Sequence, residues 1–394
     1  MPGTQRIAFI SGLGLGGAAT FLCNLTGELA RRNVPAIVVS PERENAFASD
    51  FQAAGVKVVL HDNRRMIFED RMRAVLETLA AFQPTVVIAC LGEISYEVLR
   101  YVPAGIRRMG IIQCDHQIFY EAAAPYAACM DDIVGVSRKI TDRLEGMNVF
   151  HNVSKLCLLH GVGMPPAVEP RGTSGQPLRI LYLGRIMDPQ KRVHLFPKIL
   201  AELRKSGIPF QWTIAGEGDR RVELERTMPS ASAQQVRFTG AVPNAQVPAL
   251  MEQHDIFLLA SDSEGLPLSL LEAMGHGLVP VVSDLESGIR EVVNAGNGLL
   301  VPVNDVAGYA RAIIHLHGHR DELAAKSAAA RARVQTEFSV AAMTDRWLAV
   351  FLPKAAIPIW PDYWKIKAPL TARKPVYFSS PMRVIRRLAA KFRR

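Results

Sequence analysis

Short apolar runs alternate with longer segments of helical periodicity along most of this chain, and no other feature of the sequence restricts its fold as strongly. The runs are bounded by glycine, proline or polar residues, as buried strands are. Because strands that alternate with helices form parallel sheets covered on both faces, the pattern predicts an α/β protein. The predicted strands lie at residues 6–10, 36–40, 56–60, 85–89 and 108–113, and again at 178–183, 211–215, 256–260 and 279–283.

A stretch rich in proline and glycine divides this alternation into two halves. Residues 161–177 contain four prolines and four glycines, a density at which neither helix nor strand persists. We therefore predict a first Rossmann-like domain at residues 1–163, a linker at 164–177 and a second Rossmann-like domain at 178–340. A length of 394 residues fits at least two domains.

The positive charge of the chain is concentrated at its carboxyl end. Residues 363–394 hold ten lysines and arginines and no acid, whereas the other 362 residues carry a net charge of −1. Nucleic-acid binders more often spread basic side chains along a folded groove, so we expect no nucleic-acid partner. The tail instead predicts contact with an anionic membrane surface, against the alternative of a packed or solvated basic end. Residues 381–394 have the spacing of an amphipathic helix, and upstream aromatic residues suit the headgroup level, namely Tyr363, Trp364, Tyr377 and Phe378.

The cysteines and the apolar runs indicate the compartment. The five cysteines are scattered and never form a CxxC pair, which argues against a disulfide scaffold and a cysteine zinc site. No run of about 18 apolar residues is present. We therefore expect a cytoplasmic protein, held peripherally on the inner face of the cell membrane by its tail.

The glycine-rich loop of the first half, residues 12–17, fits the pattern G-x-G-x-x-G between a strand and a helix. Glycines there let the backbone approach a phosphate at the helix N-terminus. A dinucleotide site also needs an acid at the end of the second strand, but that strand ends at Ser40 and Glu42 lies beyond a proline. An NAD-dependent oxidoreductase therefore remains an alternative, as does a tight turn without a ligand.

The strongest motif lies in the second half, where Glu264 and Glu272 are eight positions apart. A helix is predicted over residues 268–274, with Pro267 in its first turn. Eight helical residues would separate the two carboxylates by roughly 12 Å, about the reach from a ribose across a diphosphate to a sugar ring. The helix N-terminus between them favours phosphate. The alternative is that Glu264 caps the helix and Glu272 is solvated.

Basic residues follow the first strand of the same half. Arg185 stands at its end, and Lys191 is predicted near the start of a helix at residues 191–206. Both suit a diphosphate leaving group. Gly216 ends the next strand, where a nucleoside could lie.

In this order, the motifs resemble the family-4 glycosyltransferases of the GT-B fold over about residues 5–350. The resemblance implies two doubly wound, Rossmann-like domains that face each other across a cleft. It also implies a crossover helical segment at residues 341–362, which returns to the first domain before the basic amphipathic tail at 363–394. The implied reaction moves a sugar from a nucleotide-diphosphate sugar to a hydroxyl of a glycan or lipid-linked acceptor, with retention and without a metal or other cofactor.

The same resemblance implies a role for each matching residue. Arg185 and Lys191 would neutralise the diphosphate, and Glu272 would bind the ribose. Glu264 would hold the hydroxyls of the donor sugar, together with the backbone of the three residues after it, Gly265, Leu266 and Pro267. In the first domain, the loop with Gly16 and Gly17 would approach the β-phosphate, and His116 would approach the sugar; a buried pair of His116 with Asp115 is the alternative.

Two departures from the family pattern concern the hinge and the lysine. Arg192 follows Lys191 where the family often has glycine. The hinge sequence at residues 160–163 is His-Gly-Val-Gly, where the family has Asn-Gly-Val-Asp.

Two further interpretations concern a histidine cluster and a non-catalytic role. His315, His317 and His319 alternate, but on a helix only the first and third share a face, which favours a solvated helix end over a metal site. A non-catalytic glycan- or membrane-binding protein is also possible. The complete set of Arg185, Lys191, Glu264 and Glu272 argues against it.

Overall fold

Two parallel β-sheets organise the chain into two α/β units. A computed structural model describes residues 5–14, 16–42, 47–61, 66–165, 176–188, 190–228, 235–354, 358–361, 364–367 and 369–370. The first unit comprises residues up to Leu159 and from Met343 onward, and the second comprises His160–Ala342. The predicted α/β class with two Rossmann-like sheets is confirmed.

The first sheet has the strand order β3-β2-β1-β4-β5-β6-β7, and all its pairings are parallel. Its strands are β1 (Ile7–Ser11), β2 (Ala36–Ser40), β3 (Lys57–Leu60), β4 (Val86–Leu91), β5 (Arg107–Ile112), β6 (Asp132–Gly135) and β7 (Ser154–Cys157). The helices of this unit are α1 (Gly17–Arg31), α2 (Ala48–Ala53), α3 (Phe68–Phe82), α4 (Glu93–Val98), α5 (Gln117–Ala123) and α6 (Arg138–Glu145). Short 3-10 turns follow at Ala124–Cys129 and Asn148–Phe150.

Burial explains these elements. Every residue of β1 is buried, as expected for a central strand with helices on both faces. Helix α1 buries Phe21, Leu22, Leu25 and Leu29, which recur at helical spacing on one side.

The second sheet repeats this arrangement with the order β10-β9-β8-β11-β12-β13. Its strands are β8 (Leu178–Leu183), β9 (Phe210–Ala215), β10 (Val236–Gly240), β11 (Ile256–Leu259), β12 (Val279–Ser283) and β13 (Leu299–Val301). The helices are α7 (Phe196–Ser206), α8 (Arg221–Thr227), α9 (Val247–Glu252), α10 (Leu268–Gly275), α11 (Gly288–Val292), α12 (Val306–Gly318) and α13 (Arg320–Glu337), with 3-10 turns at Val193–Leu195 and Asn244–Gln246.

Two helix starts differ from the sequence predictions. Lys191 precedes the helix predicted to contain it, because Arg192 adopts a left-handed conformation and the first turn begins at Val193. Pro267 occupies the N-cap position of α10 with an extended backbone, rather than its first turn. Both residues therefore belong to loops.

The last helix, α14 (Val340–Val350), returns the chain to the first unit, as predicted. Its Trp347 is fully buried and lies 5.8 Å from Phe21 and 5.4 Å from Phe351, measured between ring centroids. Phe351 in turn contacts Phe9 of β1. The predicted crossover helix at residues 341–362 is too long, because the described residues 351–354 and 358–361 form no helix.

The start of the predicted tail packs on the first unit. The Lys367 N–H donates to the Tyr101 hydroxyl at 2.9 Å, and the Leu370 N–H donates to the Glu97 carboxylate at 3.3 Å. Trp364 is buried and contacts Trp360, so the prediction that Trp364 sits among lipid headgroups is wrong. Tyr363, Tyr377, Phe378 and the predicted helix at 381–394 lie outside the described residues, as does most of the predicted linker. Within the described part of the chain, the helices are too short or too polar to cross a bilayer.

Candidate functional site

Two loops meet at the carboxyl edge of the second sheet, where the strand order changes direction. One loop follows β8 and the other follows β11, and these strands are neighbours that pair Ile180 with Ile256. Ligands of doubly wound sheets bind at this point, because the loops on its two sides diverge and leave a crevice. Three site residues predicted from the sequence lie on these two loops, namely Arg185, Lys191 and Glu264.

A buried ion pair joins the loops. The Lys191 ammonium nitrogen lies 2.6 Å from Glu264 Oε1, and the two side chains are 12% and 7% exposed. Helix α10 has no side-chain cap and starts three residues after Gly265, so the alternative of Glu264 as its cap is wrong. The structure thus brings together a predicted phosphate-binding cation and a predicted sugar-binding carboxylate.

Gln190 ties the same loops together and was missed by sequence reasoning. The side-chain amide of Gln190 donates to the Ser263 carbonyl at 3.1 Å, and the backbone carbonyl of Gln190 accepts the Asp262 N–H at 3.0 Å. The exposed Arg185 donates to the Gln190 side-chain oxygen at 3.2 Å. The only sequence signal was its position directly before Lys191, which is too weak to identify such a residue.

The segment after Glu264 leads into the start of α10, which has no side-chain cap. The Gly265 carbonyl accepts the Gly288 N–H at 2.7 Å, which fixes the loop against α11. Leu266 and Pro267 are buried. Because α10 has neither a side-chain cap nor an acid in its first turn, its leading N–H groups and positive dipole end suit an anion.

Glu272 lies in the second turn of α10, and its side chain is partly exposed. Burial raises the pKa of its carboxyl group to about 7. The backbone carbonyl oxygen of Glu272 lies 2.9 Å from His276 Nδ1. The predicted spacing of roughly 12 Å between the two carboxylates assumed helix throughout, but residues 264–267 are loop.

Gly216 lies where β9 ends, against the loop after β8. Its φ of +141° is a conformation that glycine adopts readily, and a Cβ there would lie 1.9 Å from the Gly184 carbonyl oxygen. No larger residue fits without moving the backbone that carries Arg185. Gly216 therefore allows two strand ends to approach closely.

The first unit places the other predicted residues at the carboxyl edge of its own sheet. Gly16 is the N-cap of α1 with a φ of +150°, and the helix begins at Gly17. Both glycines are exposed, and the first turn of α1 holds no acid. Glu42, which the sequence placed beyond the expected acid position, reaches this loop: a Cβ on Gly12 would lie 3.0 Å from its Oε2.

His116 is the exposed N-cap of α5, and its Nδ1 accepts the Ile118 N–H at 3.4 Å. The alternative of a buried pair with Asp115 is wrong. Asp115 instead accepts from the Tyr120 hydroxyl at 2.8 Å and from Arg143 at 2.9 Å. Burial favours a higher pKa for Asp115, but these hydrogen bonds and nearby cations outweigh it and hold the pKa below its usual value.

The histidines near the end of α12 have partners of their own. His315 and His319 stack at 4.1 Å, as their shared helix face predicts, and His315 Nε2 lies 2.7 Å from Glu322. Among the described residues, no group of three or more histidine, cysteine or acidic side chains is arranged to hold a metal ion.

Part of the second unit matches a known protein family. Residues 177–319 match the family model described as glycosyl transferases group 1. The amylovoran biosynthesis glycosyltransferase AmsK of Erwinia amylovora is 34% identical over 172 residues, 42% of each chain. An alpha-1,4-N-acetyl-D-galactosaminyltransferase of Campylobacter jejuni, whose name specifies a saccharide on PP-undecaprenol, is 30% identical over 174 residues, 43% of this chain and 46% of that protein. The aligned stretch spans less than half the length of these relatives.

Solved structures share the fold at low sequence identity. TarM of S. aureus, in a complex that includes UDP, has a TM-score of 0.72 at 13% identity, covering 88% of this chain and 100% of that chain. Anabaena HepE with UDP and glucose has a TM-score of 0.71 at 17% identity, covering 88% and 98%. The predicted GT-B fold is confirmed.

Proposed function

Because residues 177–319 match the family model of the group 1 glycosyltransferases, we propose that this protein transfers a sugar from a nucleotide-diphosphate sugar to an acceptor hydroxyl. The observation that carries the proposal is the buried Lys191–Glu264 pair beside the uncapped start of α10. The lysine and the helix N-terminus supply positive charge for a departing diphosphate, and the carboxylate beside them can accept hydrogen bonds from sugar hydroxyls.

Each predicted site residue of the second unit has a role in this proposal. Lys191 and Arg185 neutralise the diphosphate, and Glu264 holds the sugar with the backbone of Gly265, Leu266 and Pro267. Glu272 binds the ribose, whose hydroxyls its carboxyl group can contact; burial raises the pKa of that group. The nucleoside lies near Gly216, at the end of β9. UDP is the first nucleotide to test, since both structures named above hold it.

The chemistry needs one bond to break and one to form. The bond between the anomeric carbon and the diphosphate oxygen breaks, and its electron pair stays with the diphosphate. The acceptor oxygen bonds to the anomeric carbon, and its proton passes to the departing phosphate oxygen. The acceptor hydroxyl that donates this proton lies on the same face of the sugar as the departing phosphate, so the configuration at the anomeric carbon is retained. Positive charge at Lys191 and Arg185 stabilises the leaving group in place of a metal.

In the first unit, the proposal gives Gly16 and Gly17 a role at the phosphate and His116 a role at the sugar. The exposed start of α1 supports the first role, because its N–H groups and positive dipole end suit an anion. The exposed ring of His116 supports the second, since its Nε2 is on the side opposite the capping nitrogen.

The acceptor is proposed to be a glycan or a lipid-linked glycan of a polysaccharide pathway. The names of both relatives support this class, one through amylovoran and the other through its PP-undecaprenol saccharide. The enzyme would then work at the inner face of the cell membrane, where such an acceptor is presented.

A calorimetric panel tests the proposed function. Purified protein in EDTA is titrated with UDP, GDP and ADP, with their hexose conjugates, and with NAD as the arm for an oxidoreductase. We expect one nucleoside diphosphate and its sugar to bind, and slow release of the diphosphate from the sugar in the same buffer. Binding of NAD alone would contradict the proposal, and restoration of binding only by magnesium or manganese would contradict metal independence.

The basic tail is proposed to hold the enzyme on an anionic bilayer. Each lysine or arginine close to such a surface contributes about 1 kcal/mol, so several of the ten suffice at low salt. Because Lys367 and Leu370 pack on the first unit, truncation should begin beyond them.

Co-sedimentation with vesicles tests this anchor. We expect the full-length protein to pellet with anionic vesicles at low salt and to stay in solution with neutral ones. A chain ending at Lys374 should lose this binding yet melt at the same temperature, since it keeps the packed segment. Equal pelleting of both chains would show that the tail is not the anchor.

A further inference from the structure

The Lys191–Glu264 pair holds, without a ligand, the two groups that the proposed donor needs separately. The ammonium would contact phosphate and the carboxylate would contact the sugar. In the structure they contact each other at 2.6 Å, largely out of solvent. The donor must therefore compete with an internal ion pair before it can use either group.

Competition with this ion pair affects a bare nucleoside diphosphate and an intact nucleotide sugar differently. A bare nucleoside diphosphate that draws the ammonium away leaves the Glu264 carboxylate buried without its counter-ion, which is unfavourable. A sugar on the same diphosphate places hydroxyl groups beside that carboxylate. Their hydrogen bonds replace the lost partner, so the intact nucleotide sugar avoids the penalty that its nucleoside diphosphate product incurs.

We propose that Glu264 restrains Lys191 and thereby makes the site favour the intact donor over the spent nucleoside diphosphate. This rests on the proposed function and adds a selectivity role for Glu264 beyond contact with the sugar. Its consequence is easier release of the product after transfer, because the ion pair re-forms as the diphosphate leaves. The coupling runs through one pair of atoms and needs no movement of the units.

The neighbouring pair provides a matched control. Arg192 and Asp262 lie on the same two loops, 3.8 Å apart, with 23% and 30% exposure of their side chains. Asp262→Asn removes a carboxylate close to Glu264 without touching Lys191. A general gain in positive potential would therefore follow from either substitution, whereas release of Lys191 follows only from Glu264→Gln.

Titration with UDP separates this role from simple sugar contact. Glu264→Gln keeps the shape of the side chain and removes its charge, so UDP should bind at least about fivefold more tightly than to the wild type. If Glu264 touched only the sugar, the affinity for UDP would not change. The gain should disappear when Lys191→Met is also present, and Asp262→Asn should leave the affinity for UDP within about twofold of the wild type. Melting curves show whether each variant is folded.

The outcomes are distinct. Tighter UDP binding by the Glu264→Gln protein that depends on Lys191 supports the restraint. Unchanged or weaker binding, or an equal gain in the Asp262→Asn protein, overturns it while UDP still binds the wild type. Failure of every nucleotide in the panel to bind the wild type would instead overturn the proposed function.

Discussion

Replacing Lys191 with methionine should lower the turnover of the donor by about 100-fold or more, because removing one preorganised group that stabilises transition-state charge costs about that much. The lysine is mostly buried, so solvent screens its charge little. Affinity for UDP should fall, while the affinity for uridine stays nearly the same, since the lost contact is with phosphate. Steady-state kinetics and calorimetry on one preparation measure both effects.

Substitutions of two neighbouring cations provide a comparison for the Lys191→Met protein. Arg185→Ala should have the same direction and a smaller size, because the side chain is exposed and its charge is screened. Arg192→Ala, at the position next to Lys191, should have little effect on turnover because its guanidinium pairs with Asp262. Equal losses for uridine and UDP in the Lys191→Met protein would contradict the assignment of this lysine to the diphosphate.

Removal of the Trp347 side chain should destabilise the first unit by about 3–5 kcal/mol. The indole is fully buried between Phe21 and Phe351, and alanine would leave a cavity that its aromatic neighbours cannot fill. Differential scanning calorimetry should show a lower melting temperature. Trp347→Phe should cost less, because most of the volume remains.

An exposed residue a few positions on controls for general effects of substitution in this region. Leu352 is 58% exposed, so Leu352→Ala should leave the melting temperature nearly unchanged. If Trp347→Ala melted like the wild type, α14 would not contribute to the core of the first unit. The return of the chain to that unit would then lack energetic support.

Several elements could be read directly from local sequence. The strands at Ala36–Ser40, Leu178–Leu183 and Val279–Ser283 begin and end where the apolar runs do. A strand or a helix needs a repeat of two or 3.6 residues, and each repeat is visible within a short window. The same holds for Glu264 and Glu272, whose spacing is a local property of the chain.

Other features depend on packing between distant segments. An aromatic residue in a basic tail, such as Trp364, is typical of a membrane interface, yet Trp364 is buried. No local pattern shows that Arg73 lies beside it and donates to its carbonyl at 3.4 Å. The starts of α7 and α10 also differ from prediction, since Arg192 and Pro267 take backbone conformations set by the loops around them.

The sequence by itself determined the α/β class, the doubling into two Rossmann-like sheets and the residue types available for a diphosphate and a sugar. Only the tertiary structure decided that Lys191 and Glu264, which are 73 positions apart, neutralise each other, and that Gln190 joins their loops. The physical reason is that local periodicity specifies each strand but not its neighbours. Strand order brings the ends of β8 and β11 together, and burial then forces the two opposite charges there to pair.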